Sequence, residues 1–234
     1  MTYVAGDPRD QLAYVGYDVV RAGLVVGSGG NLSAREPGGD ECWVTASGTW
    51  LDRLDRASFV RVRIADGRVL PSGPSSPSPS VPDPVGRSSP GPTSELALHL
   101  AVYRARPDVQ AIVHLHPQSV LLLDTIGVPI RLATTDHAFY LRRIVAVPFA
   151  PPGTARLADE AANAAADGTN CLILSRHGCS LLASTVELAH KRAVNLEEAA
   201  QLTYRALVAG RVAGLTPLPA DFVDNLPDAD QSAI

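Results

Sequence analysis

The chain has 234 residues, of which 46% are apolar and 19% are charged, a composition typical of a globular protein rather than a fibre or a disordered chain. Its net charge of −4 offers no basic field for a phosphate backbone, so we expect no nucleic-acid partner. The N-terminal residues have no cationic segment followed by an apolar run, and no apolar stretch reaches the roughly 20 residues that span a bilayer. We therefore expect a cytoplasmic protein without a membrane partner. The three cysteines lack CxxC spacing, which argues against a disulfide framework.

The first part of the chain predicts one helix, one strand and one hairpin before a long irregular segment. Apolar residues recur at helical spacing over residues 9–22. A glycine-rich loop, GSGGNLS, leads into a short strand at residues 42–46, and an Asp-Gly pair predicts a hairpin over residues 59–70. Residues 71–91 are rich in proline and serine, a composition that neither packs a core nor pairs in a sheet. We expect a surface loop there, acting as a lid over a site or as padding at an interface.

The second part of the chain alternates helices and strands. The predicted elements are helices at residues 94–105, 154–167 and 184–210, and strands at residues 109–116, 144–149 and 170–175. Thr93 or Ser94 is expected to cap the first of these helices, and Ser184 with Glu187 forms a capping box for the last. The pattern predicts an α/β fold in a single domain over residues 1–234, with helices against a mixed sheet and an irregular tail from about residue 211.

Two histidines stand one residue apart at the end of an apolar run, AIVHLH. Residues two apart in a strand project from the same face, so His114 and His116 lie side by side with Ile112. A third histidine, His177, follows another apolar strand and precedes Gly178. Three neutral imidazoles with an open fourth position are typical of a catalytic zinc site. The sequence therefore predicts that these histidines bind one divalent ion.

The remaining candidates near this site are a glutamate, three histidines and a cysteine. Glu95, at the start of its predicted helix, is expected either to ligate the metal or to act as a base beside it. His99 lies one helical turn further on and either joins the site or orients the carboxylate. His137 and His190 are interpreted as packed or capping side chains. Cys179 is a competing thiolate ligand, and a nucleophilic cysteine–histidine pair is the less favoured alternative.

Three polar loops predict an anion site. GSGGNLS, TASG and PTSE combine hydroxyl groups with backbone amides, and the last of them opens a helix. Such an arrangement suits a phosphate monoester. The residues that these loops offer are Ser28, Asn31, Ser33, Thr45, Ser47, Gly48, Thr93 and Ser94. The loops contain neither a GxGxxG fingerprint nor a Walker sequence, so a nucleotide cofactor is not indicated.

Taken in order, five stretches resemble the class II aldolase/adducin family, which includes fuculose-phosphate aldolases and ribulose-phosphate epimerases: GGNLS, TASG, PTSE, YRARPDVQAIVHLHP and RHG. The resemblance extends over about residues 11–210 and implies a three-layer α/β/α sandwich around a mainly antiparallel sheet. It also implies a homotetramer with active sites at subunit interfaces. In this family zinc, or another divalent metal such as Mn²⁺ or Co²⁺, would be held by His114, His116 and His177, with Glu95 as the catalytic acid/base. The substrate phosphate would be held by Asn31, Ser47, Gly48, Thr93 and Ser94.

The resemblance implies an aldol-type lyase that acts on a small sugar phosphate through a metal-stabilised enediolate. The relatives draw a further acid or base from the segment that reads RLATTDHAFYLRR here. Thr134 stands at the tyrosine position of the aldolases and Ala138 at the aspartate position of the epimerase. Asp136, His137 and Tyr140 are therefore alternative candidates for the second acid/base group. The tail has Phe222 and no tyrosine, so a second tyrosine of the aldolases also has no match.

Other functions compete with an aldolase. The same metal site suits a decarboxylase, dehydratase or 4-epimerase that acts on a phosphorylated sugar or sugar acid. Cupins and amidohydrolases also use the HxH pattern, but cupins are almost all strand and amidohydrolase barrels usually need a longer chain. A non-catalytic scaffold, as in the adducin branch, is disfavoured because the three histidines and Glu95 are all present.

Overall fold

A computed structural model describes residues 4–36, 38–71 and 91–231, so the interior of the predicted loop over residues 71–91 lies outside the described residues. The strands are β1 Asn31–Arg35, β2 Glu41–Thr45, β3 Phe59–Arg63, β4 Val69–Leu70, β5 Ala111–Leu115, β6 Ile144–Val147, β7 Cys171–Leu174 and β8 Gly178–Ala183. The helices are α1 Pro8–Arg21, α2 Leu96–Ala105, α3 Gln118–Thr125, α4 Thr135–Leu141, α5 Ala155–Ala165, α6 Val186–Val208 and α7 Ala220–Asp224. Single 3-10 turns occupy Leu51–Arg53, Arg56–Ser58 and Val212–Gly214.

The eight strands form one sheet in the order β4-β3-β2-β1-β5-β8-β7-β6. Every neighbouring pair is antiparallel except β6 and β7, which run parallel. The mainly antiparallel sheet is therefore confirmed. Strands β1 and β8 flank β5, with Asn31 opposite His114 on one side and Ser180 opposite it on the other. This register places the predicted metal ligands of β5 at the centre of the sheet.

Helices cover both faces of the sheet and make three layers. Helices α2 and α5 pack together over one face, and helices α1, α3 and α4 pack against α6 on the other. Along β5, Ile112 faces the α2 layer, whereas Ala111, Val113 and Leu115 face the α6 layer. The predicted alternation of this strand is confirmed, and His114 lies on the face that α2 covers.

Three local predictions are wrong. The second half of GSGGNLS is not loop but the start of β1, because its polar side chains face buried polar partners instead of solvent. Helix α6 is capped by Thr185, whose hydroxyl accepts from the Leu188 amide, while Ser184 is engaged by Asp230. Helix α2 has Glu95 at its cap position without a side-chain cap, and the Thr93 hydroxyl accepts from the Glu95 amide instead.

The C-terminal tail is less irregular than predicted, since it contains a 3-10 turn and α7. Asp230 in this tail forms an ion pair with the buried Arg192, at 2.6 Å, and accepts from the Ser184 amide. The guanidinium of Arg142 donates to the carbonyls of Val223 and Leu226. These contacts fix the tail to α6 and the end of α4.

Within residues 4–36, 38–71 and 91–231, the helices are too short or too polar for any of them to cross a membrane.

Candidate metal centre and cleft

The three predicted metal-binding histidines converge. The ring centroids lie 5.0 Å apart for His114 and His116, 4.9 Å for His114 and His177, and 5.1 Å for His116 and His177. His114 and His116 reach this point from β5 and the residue after it, and His177 reaches it from the turn between β7 and β8. The sheet therefore brings together imidazoles that are about 60 residues apart in the sequence.

Glu95 completes the cluster from the N-terminus of α2. Its Oε2 lies 3.1 Å from His114 Nε2, and its Oε1 lies 3.3 Å from His177 Nε2. The amide of Asn31 donates to Oε2 at 2.9 Å. Burial raises the pKa of this carboxyl, but the hydrogen bond and charge of His114, with smaller contributions from His177 and Asn31, lower the pKa below its ordinary value. Glu95 is therefore an anion at neutral pH.

The four side chains fit a divalent cation. Ligands that bind one ion at about 2.0–2.2 Å lie roughly 3–4 Å from one another. Here one ligand atom from each of Glu95, His114, His116 and His177 lies within 4.8 Å of all the others, and His114 Nε2 is 3.1 Å from His116 Nε2. Among the described residues, Glu95 Oε1 is buried without a hydrogen-bond partner, which leaves its lone pairs free for an ion.

Protonation favours the same use of the imidazoles. Burial lowers the pKa of His116 to about 4 and also lowers the pKa of His177. Both rings are therefore neutral at pH 7 and keep a lone pair for a metal. The other ring nitrogen of His114, Nδ1, lies 3.1 Å from the Ser180 hydroxyl, which orients the ring in the way typical of metal-binding histidines.

The turn that carries His177 is held in place from α3. The carboxylate of Asp124 accepts from the Ser175 hydroxyl at 3.0 Å and from the Arg176 amide at 2.7 Å. Arg176 has φ 60°, a left-handed conformation that this clamp stabilises. Gly178 follows, and a Cβ there would lie 2.4 Å from the Leu115 carbonyl oxygen and 2.5 Å from His116 Cδ2.

Replacing Gly178 by alanine is expected to destabilise the fold by about 1–3 kcal/mol, the usual cost of forcing a methyl group into a packed site. The clash involves backbone and the ring of His116, a predicted metal ligand, so we also expect weaker metal binding. Thermal unfolding and metal titration of the purified variant measure the two effects. Gly214→Ala is the matched control, because a Cβ there meets nothing within 4 Å. Equal melting temperatures for the two variants would contradict the steric argument.

Beside the cluster lies a polar cleft with a volume of about 190 Å³. Its walls are the three predicted polar loops. The Ser47 amide donates to the Gly91 carbonyl and the Thr93 amide to the Thr45 carbonyl, and the Leu32 amide donates to the Thr45 hydroxyl. The lining residues are Ser28, Gly29, Gly30, Asn31, Thr45, Ala46, Ser47, Gly48, Thr49, Thr93, Ser94, Glu95 and His116. All five residues that the sequence assigned to the substrate phosphate line this cleft.

The glycine-rich loop has a steric role that the sequence did not reveal. A Cβ at Gly29 would lie 2.9 Å from His116 Nδ1, and a Cβ at Gly30 would lie 2.7 Å from the His114 carbonyl oxygen. Larger residues would displace the two histidines. The loop therefore forms a wall of the cleft and also leaves room for the clustered histidine rings.

Three other candidates lie outside the cluster. His99 is not a ligand, because its ring is hydrogen bonded to Asn31 and Ser33. His190 pairs with Asp18 at 2.9 Å. The alternative prediction of Cys179 as a thiolate ligand is wrong. Its side chain packs in the apolar core on the α6 side of the sheet, and burial raises the pKa of its thiol.

The candidates for a second acid/base group all lie on α4, which packs on α6 in the layer opposite α2. His137 is buried, and its Nε2 lies 3.9 Å from a carboxylate oxygen of Glu198. Asp136 is exposed, and Tyr140 is partly buried beside Phe139. None of the described residues of α4 lines the cleft of the same chain.

Comparisons with known proteins agree with this geometry. The family model described as the class II aldolase and adducin N-terminal domain matches residues 10–204. An L-fuculose phosphate aldolase of Methanocaldococcus jannaschii is 34% identical over 179 residues, or 76% of this chain and 86% of the relative. A 3-oxo-tetronate 4-phosphate decarboxylase of Escherichia coli is 30% identical over 220 residues, or 88% of this chain and 94% of the relative.

The fold has the same likeness. A crystal structure from Klebsiella pneumoniae, described as an aldolase, epimerase or decarboxylase, superposes with a TM-score of 0.77 at 26% identity and covers 94% of this chain and 97% of that one. The residues matched by the family model include Glu95 and the three clustered histidines.

Proposed function

The chain belongs to the class II aldolase and adducin family, and we propose that it is a metal-dependent lyase that cleaves or forms an aldol C–C bond in a small sugar phosphate. One observation carries the proposal: Glu95 and His116 belong both to the four-residue cluster and to the lining of the polar cleft. A divalent ion in the cluster, for which we propose zinc, would polarise the oxygens of the substrate and stabilise the charge that develops as the bond breaks.

The cleft suits the phosphate end of such a substrate. The lining includes the hydroxyls of Ser47, Thr93 and Ser94. Helix α2 begins at Leu96, two residues after Ser94. Among the described lining residues none is lysine or arginine. Binding of an anion would therefore depend on hydroxyl groups, backbone amides and the positive end of the α2 dipole. We propose that the phosphate anchors the substrate with its reacting carbons toward Glu95.

Glu95 has the properties of the acid/base group. Its carboxylate is ionised, because the neighbouring histidines lower its pKa, and the Asn31 amide holds it in place. During cleavage, the aldehyde leaves and the carbon next to the ketone keeps the electron pair of the broken bond. The proton of the hydroxyl that becomes the aldehyde would pass to a second acid/base group. Glu95 would take up a proton from water and deliver it to that carbon, and in the reverse direction its carboxylate would remove that proton.

We propose that the second acid/base group comes from a neighbouring subunit of a homotetramer. Two observations support this proposal. Among the described residues that line the cleft of one chain, Glu95 is the only carboxylic acid. Asp136, His137 and Tyr140, the candidates for the second group, lie together on α4 in another layer. A symmetric assembly would bring α4 of one subunit to the cleft of the next.

A second candidate function is decarboxylation of a phosphorylated 3-oxo sugar acid. The Escherichia coli decarboxylase aligns over 88% of this chain, whereas the fuculose phosphate aldolase aligns over 76%. The chemistry differs only in the leaving group: carbon dioxide leaves in place of an aldehyde, and the same carbon then takes a proton from Glu95. The site described above suits both reactions.

Product analysis separates the two candidates. The purified protein, loaded with zinc, is incubated with a panel of phosphorylated ketoses and phosphorylated 3-oxo sugar acids. The lyase proposal expects an aldehyde and a three-carbon ketose phosphate from a ketose substrate. Release of carbon dioxide from a sugar acid alone would favour the decarboxylase, and the absence of turnover on the whole panel would contradict both.

Replacing Ser94 by alanine is expected to raise the KM for a phosphorylated substrate by about 10-fold or more, because a hydrogen bond to a charged group contributes about 1.5–3 kcal/mol. Ser94 is exposed at the cleft, so the fold is expected to remain intact. Steady-state kinetics with the phosphorylated substrate and its unphosphorylated counterpart measure the effect. An equal loss on both substrates would place the phosphate elsewhere.

A further inference from the structure

Behind Glu95, a row of polar side chains runs into the protein. Asn31 Oδ1 lies 2.5 Å from His99 Nε2, His99 Nδ1 lies 2.7 Å from the Ser33 hydroxyl, and that hydroxyl lies 2.8 Å from the hydroxyl of Tyr103. Ser33 and His99 are 0% exposed and Tyr103 is 1% exposed. A polar row at this depth costs free energy unless every member is hydrogen bonded, and here each side chain has a partner.

Only one arrangement of protons satisfies the whole row. The Asn31 NH₂ group donates to Glu95 Oε2, so the amide oxygen faces His99 Nε2 and must accept from it. Burial lowers the pKa of His99 to about 3, so its ring is neutral and Nδ1 accepts from Ser33. Ser33 in turn accepts from Tyr103. Four hydrogen bonds therefore point in one direction, toward Glu95.

The periodicity of one strand and of one helix brings the side chains of this row together. Asn31 and Ser33 lie two apart on β1 and face the same side. Glu95, His99 and Tyr103 lie four apart at the start of α2 and along it, so they share one face of the helix. The far end is closed, since the guanidinium of Arg35 lies 4.7 Å above the ring of Tyr103. The row does not lead to solvent, which argues for orientation rather than proton transport.

We propose that His99 is a positioning residue that, braced by Ser33 and Tyr103, holds the Asn31 amide with its NH₂ group toward Glu95 and so fixes the carboxylate for proton transfer at the substrate carbon. The proposal rests on the proposed function of Glu95. It assigns to His99 the role of orienting the carboxylate from a distance, through one intervening side chain.

The first test compares two variants at His99. In His99→Leu the brace is lost, and kcat is expected to fall by about 10–100-fold, the usual cost of removing a supporting group behind a metal site. KM for the phosphorylated substrate is expected to stay within about 3-fold, because the hydroxyls proposed to bind the phosphate, those of Ser47, Thr93 and Ser94, are not among the hydrogen-bond partners of His99. His99→Gln is expected to recover most of kcat, since its amide both donates to Asn31 and accepts from Ser33. A wild-type kcat in a folded His99→Leu variant would overturn the proposal.

The second test needs neither metal nor turnover. Nitrogen-15 NMR of the histidine rings in the metal-free wild-type protein reports which nitrogen carries the proton. We expect His99 as the neutral Nε2–H form from about pH 5 to pH 8, although an ordinary histidine titrates in this range. A protonated ring or an Nδ1–H form would overturn the proposal. If the wild-type protein turns over nothing on the substrate panel, the proposed function fails, and the ring form alone then decides the proposal on His99.

Discussion

Replacing His177 by alanine is expected to weaken zinc binding by more than about 100-fold, because even residues that only support metal ligands contribute about 10–100-fold. His177 supplies one of the three imidazoles, and its Nε2 lies 3.3 Å from Glu95 Oε1, at the centre of the cluster. The measurement is metal content after dialysis against a weak chelator, followed by titration with zinc. Activity should fall in parallel, and a moderate excess of zinc in the assay should not restore it.

The control for this variant is His190→Ala. His190 is a partly buried histidine that pairs with Asp18 at 2.9 Å and lies outside the cluster. We expect this variant to bind zinc as the wild type does, even where its stability is lower. Full metal retention by the His177 variant would remove that histidine from the site and leave the predicted three-imidazole centre incomplete.

The pairing of His114 with His116 could be predicted from the sequence because strand periodicity is a strong local rule. His114 and His116 stand two apart in a buried strand, and the apolar residues between and before them show which face is which. The convergence of His177 is a different matter, because it depends on β8 pairing with β5. The sequence predicted it from the position of His177 at the end of another apolar strand, next to Gly178, and the pairing of β8 with β5 is the long-range contact that makes it so.

Two of the elements that the sequence failed to predict, β1 and β8, carry polar residues that face the site. Strand β1 carries Asn31 and Ser33, which read as loop residues by propensity but are buried against α2. Strand β8 begins at a glycine and carries Ser180 beside His114. In both strands a tertiary contact outweighs the local preference of the residue. Such departures from local rules occur where function needs polar groups in the interior.

The role of His99 shows the same limit. Its place one helical turn after Glu95 left two interpretations open, a metal ligand or a support for the carboxylate. The position of β1 excludes the metal ligand, since Asn31 and Ser33 occupy both ring nitrogens, and the support of the carboxylate stays a proposal. No pattern within α2 contains that information, because the two partners belong to a strand about 65 residues earlier in the chain.

Replacing Glu95 by glutamine is expected to lower turnover by roughly 100-fold or more while leaving most of the bound metal in place. Glutamine has the shape of glutamate, and its oxygen can still accept from the Asn31 amide, so the side chain should keep its position. It cannot take up and release a proton at the substrate carbon. The neighbouring histidines hold the pKa of Glu95 below its ordinary value, so the wild-type carboxylate is ionised throughout the neutral range. The amide of glutamine does not titrate, so changing the pH within that range should not rescue the variant.

The matched control for this variant is Glu197→Gln. Glu197 is also a buried glutamate, but its carboxylate caps the N-terminus of α3. Its carboxylate accepts from the backbone amides of Ser119 and Val120, at 3.2 Å each, at the start of α3. Loss of that charge should lower the melting temperature and leave kcat nearly unchanged, the opposite of the pattern expected for Glu95. Metal content, melting temperature and kcat measured on both variants therefore separate a catalytic carboxylate from a structural one. A Glu95→Gln protein with normal kcat would show that another group moves the proton.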